Sequence, residues 1–537
     1  MNASTRRRLT ALQATLVAAL PAALAVALSA AGAQPPAALP PVVVGELTVL
    51  EETYRLLDST AEKIWPGWTG YRDVPFLFEF ENRLRVLVGH PNPPAPFQIV
   101  PGLAVGGRSV AADRSAVTGV KVKPFLSGGG GPINFGAAAD GTPVNTVHIS
   151  LGSPRAPGGE GAEAAEPPRT EEKVLMYLHE LFHCFQRGRI QPRFGNLRFN
   201  ADADFATWSQ IEGFALERAY RAADPAAARE RMKEFTVARA LKRQSMNDTQ
   251  RNEESADDVR EGTATYATLR ALEIIRAGGF KPGRSGADDP YYRGFADADR
   301  MIASYAERLL KSAAKHEDPK MKCYDYGCFQ CALAERLVPG WQQQVEQGKP
   351  MDAILAGAIP IGEGERADVE RRLRSDYPFE EARGGALAFT GARDAAYRAI
   401  ISREGRVYIV DLKPVRQFIS TLAPRTGAYV LGLLTLFPAG YPGFTLDAVE
   451  LSPVKIPCNT DQLYYFRAVD TESNTRSQAY TVAGQRQADG SYADAVVTTP
   501  LFTLRAPKLR IVESANRVKI QVLARVKQAP AATGSRP

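Results

Sequence analysis

The sequence predicts an α+β protein of several domains: a small N-terminal sheet, a mainly helical middle and a C-terminal antiparallel β domain. Three observations lead there. At 537 residues and 58.3 kDa the chain exceeds what one hydrophobic core usually serves. Its 45% apolar and 23% charged residues are globular proportions, which excludes a disordered, collagenous or disulfide-knot protein. Hydrophobic spacing also changes twice, from short β-like runs to helical periodicity near Glu171, and to β-branched runs after Gly384.

Residues 1–33 have the layout of a secretory signal peptide. Arg6, Arg7 and Arg8 precede an apolar stretch from about Leu9 to Leu28, and Ala31-Gly32-Ala33 stands before Gln34. Pro21 interrupts the stretch and argues against a membrane anchor. Thr5-Arg6-Arg7-Arg8-Leu9 resembles a twin-arginine signal without its usual Phe and Lys. The expectation is an exported protein, periplasmic or extracellular, with no integral membrane span after leader removal. Formal charge is +7, and the leader holds three arginines and no acid, so the remainder carries 7 − 3 = +4. That is too mild to imply nucleic acid.

Residues 34–170 read as the N-terminal α/β part. A Pro/Ala spacer, Pro35 to Pro41, precedes a helix over Glu46 to Trp65 with Leu50, Tyr54, Leu57 and Ile64 on one face. Strands are expected at Phe76 to Phe78, Leu84 to Val88, Phe97 to Val100 and Val144 to Leu151. Gly128 to Gly131 read as a flexible turn, and 153–168 as a mobile surface loop. Residues 171–383 form the helical part, with helices near 171–187, 205–222, 225–243 and 255–276, then helices and loops over 290–375. Residues 384–527 form the β domain, with runs at Val407 to Val410, Tyr429 to Leu434, Gln462 to Ala468, Ala495 to Thr498 and Val518 to Leu523. A disordered tail, 528–537, follows.

Five Cys and five His exclude a site built from many soft ligands. Export permits disulfides, an odd count leaves at least one thiol unpaired, and a bridge from Cys323 to Cys328 or to Cys458 is left open. Cys184 reads as a small buried residue, not a nucleophile. No Gly-x-Ser-x-Gly elbow is present. Glu253-Glu254 and Asp257-Asp258 read as solvated helix charges.

The chemistry concentrates in His179-Glu180-Leu181-Phe182-His183. An i,i+4 spacing puts both imidazoles on one helix face, where their nitrogens converge on one Zn²⁺, with the carboxylate between them aimed at a water on that ion. Val174, Leu178, Leu181, Phe182 and Phe185 supply the packing stripe. A third histidine ligand would need Gly three and His six positions after His183, where Gln186 and Arg189 stand, so the third ligand is a carboxylate. Two candidates share Glu-Gly-x-Ala: Glu212-Gly213-Phe214-Ala215, after Trp208, and Glu261-Gly262-Thr263-Ala264-Thr265-Tyr266. The glycine would let the ligand helix approach the metal helix closely.

In these residues the chain resembles the gluzincin metallopeptidases. Glu212, 212 − 183 = 29 positions after His183, is similar in spacing to the ligand of bacterial collagenases. Glu261 to Tyr266 instead resembles the ligand helix of exported bacterial His-Glu-x-x-His proteins, as does the segment from Tyr326-Gly327 to Pro339-Gly340-Trp341. The resemblance covers roughly 46–345. It implies a zincin-like catalytic region holding Zn²⁺ on His179, His183 and a glutamate, Glu261 favoured by its fuller motif and Glu212 the alternative. A helical hairpin would lie between the metal helices, and the glutamate left off the metal would orient a histidine. It further implies a peptide or protein substrate, Glu180 as general base, and a second catalytic donor, assigned to Tyr266 with Tyr324, Tyr326 and His316 as the other candidates. Val144 to Leu151 would be an edge strand holding extended peptide. A zincin-fold binding or structural protein without turnover is the competing expectation; the intact Glu180 speaks for the enzyme.

Overall fold

The computed structural model describes residues 39–80, 84–113, 127–151, 169–190, 202–283, 289–315 and 319–401, and between 406 and 523 the segments 406–411, 434–436, 445–448, 465–470, 480–499, 502–514 and 517–523. The expected leader (1–33), mobile loop (153–168), tail (528–537), His316 and Cys458 lie outside them. The class is α+β, with an N-terminal sheet, a helical middle and a C-terminal sheet. Chain contacts divide it into one unit of 1–54 and 70–174 and another of 55–69 and 175–537.

The first unit is a six-stranded sheet with the N-terminal part of α1 (Pro41–Ile64). Its strands are β1 (Phe76–Phe80), β2 (Arg85–Val88), β3 (Phe97–Val105), β4 (Arg108–Asp113), β5 (Ser127–Ala137) and β6 (Pro143–Leu151), in the order β3-β4-β2-β1-β6-β5. Only β1 and β6 pair in parallel. The register sets Phe76, Phe78, Val86, Val88, Val110, Ala112, Val147 and Ile149 on one buried face, and Tyr54 of α1 meets Phe76 edge-on. On the other face Leu77, Leu87, Phe97 and Ala111 pack with Ile133 and Phe135. Phe97 of β3 and Phe135 of β5 come from opposite ends of the strand order, yet their ring centroids are 5.8 Å apart, so the ends curl toward each other. His90 adds a hydrogen bond to the Phe135 carbonyl (2.8 Å).

Two expectations are corrected here. Val144 to Leu151 is not an edge strand: β6 lies between β1 and β5. Gly128 to Gly131 are not a turn: Gly129, Gly130 and Gly131 pair with Ser150, Ile149 and His148. A backbone ladder needs no side chains, so an edge strand of glycines leaves no compositional mark.

The second unit holds the helices: α2 (Thr170–Arg189, whose first turn belongs to the first unit), α3 (Ala203–Arg221), α4 (Pro225–Lys242), α5 (Asp248–Arg276), α6 (Ala298–Ala314), α7 (Pro319–Leu337), α8 (Trp341–Glu346), α9 (Met351–Ala358), α10 (Glu363–Ser375) and α11 (Phe379–Ile401). Local chemistry explains their starts. The carboxylates of Asp202 and Asp224 accept from the Phe205 and Ala227 amides, Pro225 opens α4, and Asn247 with Gln250 forms a capping box on α5. The hairpin of α3 and α4 stands between α2 and α5 in sequence, as the resemblance implies.

α5 and α7 cross backbone to backbone at Gly262 and Gly327. A Cβ added at Gly262 would stand 2.6 Å from the Gly327 carbonyl carbon and 3.0 Å from the Cys328 nitrogen. Gly213 faces Ala313 and the Tyr326 hydroxyl in the same manner. Both Glu-Gly-x-Ala glycines therefore admit α6 and α7, not the histidine helix. Trp65 packs on Phe182 of α2 and on Trp341, and Tyr266 stacks edge-on against Trp341.

α11 runs through Gly384, so strands begin at Arg406 and not at the composition change. The C-terminal sheet has the order β10-β7-β14-β13-β12-β11, with β9 (Thr445–Ala448) on β13 and β8 (Leu434–Leu436) on β9. The path comprises β7 (Arg406–Asp411), β10 (Tyr465–Asp470), β11 (Thr481–Arg486), β12 (Tyr492–Thr498), β13 (Phe502–Ser514) and β14 (Arg517–Val522). Its pairings are antiparallel except β14 with β7. The expected run at Tyr429 reaches described structure only at Leu434.

No disulfide joins Cys184, Cys323, Cys328 and Cys331. Cys323 and Cys328 sit five positions apart on one helix, which turns their side chains to different faces. Among the described residues no helix is long and apolar enough to cross a membrane.

Candidate metal centre

α2 projects His179 and His183 from one face, and α5 brings Glu261 to them. The two Nε2 atoms are 3.1 Å apart, and Glu261 Oε2 lies 3.2 Å from His183 Nε2 and 3.7 Å from His179 Nε2. Ligands at 2.0–2.1 Å in a tetrahedral zinc site stand about 3.3 Å from one another, so this triangle is the size of one face of such a site. Two imidazoles and one carboxylate suit a borderline ion such as zinc. Among the described residues this is the only group of three or more His, Cys, Asp or Glu side chains close enough to share an ion.

The electrostatics agree. Burial alone would raise the Glu261 pKa, but hydrogen bonds with His179 and His183 and the His183 and Arg260 charges hold it far below the usual carboxylate range. Burial opposes a charge on His183, yet Glu261 outweighs it and raises that pKa. Arg260 Nη2 binds Glu261 Oε1 at 2.9 Å and Asp257 Oδ1 at 3.0 Å, which leaves Oε2 turned to the imidazoles. Glu180 is buried, and its Oε2 has no hydrogen-bond partner among the described residues. A buried, unpartnered carboxylate oxygen is costly unless something binds there, and its place between the two histidines fits a water on an ion.

Glu212 is not at this centre. Its carboxylate is fully buried between Arg239 (Nε, 2.6 Å) and Lys242. Lys242 also binds Glu254 at 2.6 Å, Arg239 binds Asp258 at 2.7 Å, and Arg243 joins Glu254 to Asp352. Nor does Glu212 orient a histidine. The expected solvation of Glu254, Asp257 and Asp258 is likewise overturned: these cations draw Glu254 and Asp258 inside, and Arg260 pairs with the buried Asp257.

The tyrosines separate clearly. Tyr266, expected as the catalytic donor, lies against Trp341 with its hydroxyl unpartnered among the described residues, and burial, then the Glu335 charge, push its pKa up. It stands five positions beyond Glu261, which turns it off that face of α5. Tyr326 donates to the Ser209 carbonyl at 2.6 Å. Tyr324 alone joins the centre: its ring stacks over His179 (centroids 6.1 Å, planes 14° apart) and its hydroxyl lies within the field of the Glu261 carboxylate. Burial, then the Glu261 charge, push its pKa far up, so it stays a protonated donor.

Sequence reasoning missed Gln186 and Arg260. Gln186 served only to exclude a third histidine, although a polar residue one turn beyond His183 on the same face was a readable signal. Comparison of the chain with protein-family models, with curated proteins and with solved structures finds no match.

Proposed function

We propose that the chain is an exported, zinc-dependent, gluzincin-type metallopeptidase that hydrolyses peptide bonds, with His179, His183 and Glu261 as the metal ligands. The observation that carries the reading is the convergence of two Nε2 atoms and Glu261 Oε2 within 3.1–3.7 Å beside the unpartnered Glu180 Oε2. Bound zinc supplies Lewis-acid chemistry, lowering the pKa of a water toward about 7 and polarising a carbonyl.

The chain's own groups do the rest. Glu180 takes the proton of the attacking water at Oε2 and passes it to the leaving nitrogen. Tyr324, protonated at neutral pH and adjacent to His179, takes the donor role sought in Tyr266 and hydrogen-bonds the carbonyl oxygen as charge develops on it. Arg260 keeps Glu261 a one-oxygen ligand.

The test is metal analysis of purified protein together with a peptide-library assay of the wild type and Glu180→Gln. One zinc per chain in both proteins is expected, with a rate loss in the variant of about 10²–10⁴-fold. Absence of zinc from folded protein, or equal hydrolysis by both, refutes the reading. Zinc without turnover in the wild type is the outcome of a binding protein.

A further inference from the structure

Gln186 is buried on α2 and its amide joins two helices. Nε2 donates to the Arg260 carbonyl at 2.8 Å and to Thr263 Oγ1 at 2.6 Å, both on α5. Thr263 donates its own hydroxyl hydrogen to the Val259 carbonyl at 2.7 Å, so toward Gln186 it is an acceptor. Two acceptors on the α5 side require the NH₂ group there, which turns the amide oxygen to His183. Gln186 Oε1 is 2.7 Å from His183 Nδ1. An amide oxygen carries no hydrogen, so Nδ1 must donate.

A neutral imidazole has one N–H. That hydrogen stays on Nδ1 whether the ring is neutral or charged, so Nε2, 3.2 Å from Glu261 Oε2 and 3.1 Å from His179 Nε2, is the nitrogen whose lone pair an ion would take. We infer that Gln186 is a positioning residue: it holds His183 as the Nδ1–H tautomer and ties α2 to the turn of α5 that carries Glu261, so both ligands are set before an ion arrives. Its side-chain type follows. Glutamate could accept from Nδ1–H but could not donate to Arg260 and Thr263, and an aliphatic residue could do neither. The inference on ion binding rests on the metallopeptidase reading; the tautomer does not.

The test uses full-length protein. Long-range ¹H–¹⁵N correlation on the metal-free, ¹⁵N-histidine-labelled chain reads the tautomer of His183, assigned by the signal lost in His183→Ala. Nδ1–H is expected in the wild type and in Gln186→Glu, and its loss in Gln186→Met. Zinc affinity, by competition with a chelator, should fall about 10–100-fold in Gln186→Met and by less in Gln186→Glu. A wild type whose Nδ1 carries no hydrogen overturns the inference, as does a folded Gln186→Met that keeps both Nδ1–H and wild-type affinity. If Gln186→Met does not fold, Gln186→Glu decides, and an Nδ1 without hydrogen there overturns it. A wild type that binds no zinc sinks the metallopeptidase reading and leaves the tautomer result standing.

Discussion

Gly262→Ala tests the backbone crossing that places Glu261. The new Cβ would stand 2.6 Å from the Gly327 carbonyl carbon and 3.0 Å from the Cys328 nitrogen. Ordinary carbon contacts need about 3.5–4.0 Å, so α5 and α7 must separate by about 1 Å. Both obstacles are main chain, and no side chain can swing away. Over-packing of this kind costs about 1–3 kcal/mol, and a backbone clash belongs at the upper end. Alanine returns about 1 kcal/mol through helix propensity, which leaves a net loss of roughly 2 kcal/mol. Gly188, exposed on α2 with nothing within 4 Å, is the control: Gly188→Ala should be neutral or stabilising by up to about 1 kcal/mol. Urea unfolding followed by far-ultraviolet circular dichroism measures both, and zinc competition shows whether the displacement reaches Glu261. A Gly262→Ala protein as stable as the wild type refutes the reasoning, and so does a Gly188→Ala protein that loses as much.

Two further outcomes follow from the buried charges. Glu261→Ala should abolish zinc binding in a protein that still folds, whereas Glu212→Ala should keep zinc in its folded fraction but lose about 3–5 kcal/mol, because Arg239 and Lys242 lose a buried counter-charge; the opposite pattern in zinc content would restore Glu212 as the ligand. Lys322, 7% exposed and hydrogen-bonded to Ser209 Oγ and the Ala313 carbonyl, is lowered to about 7 by burial and then by the Lys242 charge. Above that pH the native chain has released this proton while the unfolded chain keeps it to about 10.4, so this group makes stability rise with pH from about 7 to about 10 and imposes its full cost below 7. Lys322→Met should therefore exceed the wild type in melting temperature most at pH ~6, and by less toward pH ~10. A pH-independent difference between the two melts removes the argument.

The histidine helix was readable because its chemistry and its packing share one period: His179 and His183 repeat at four residues, and so do Leu178 and Phe182 beside them. The start of α4 was readable at Asp224-Pro225, whereas α5 begins at Asp248, seven residues before the expected 255, because Asn247 and Gln250 cap a first stretch too polar to show a packing stripe. The choice between Glu212 and Glu261 was not readable, since the glycine of each motif admits a neighbouring helix, α7 at Gly262 and Ala313 of α6 with Tyr326 of α7 at Gly213. What separates them is the pair of cations that α4 brings to Glu212, a contact across 27 and 30 positions. Pairings across 11 and 19 positions likewise hid the burial of Glu254 and Asp258. Nothing in the sequence showed that Tyr324 and not Tyr266 would reach the centre: α7 sets Tyr324 over His179, and α5 turns Tyr266 toward Trp341. The glycines of β5 hid a strand because the ladder uses only main-chain groups.

The last described strand of the C-terminal sheet, β14, is also one of its innermost, seated between β7 and β13. A ribosome that stalls before Arg517 would leave two half-sheets whose facing borders are both unzipped, with Tyr408, Val410 and Leu509 stripped of their cross-strand neighbours. Such fragments would be sticky and easily degraded.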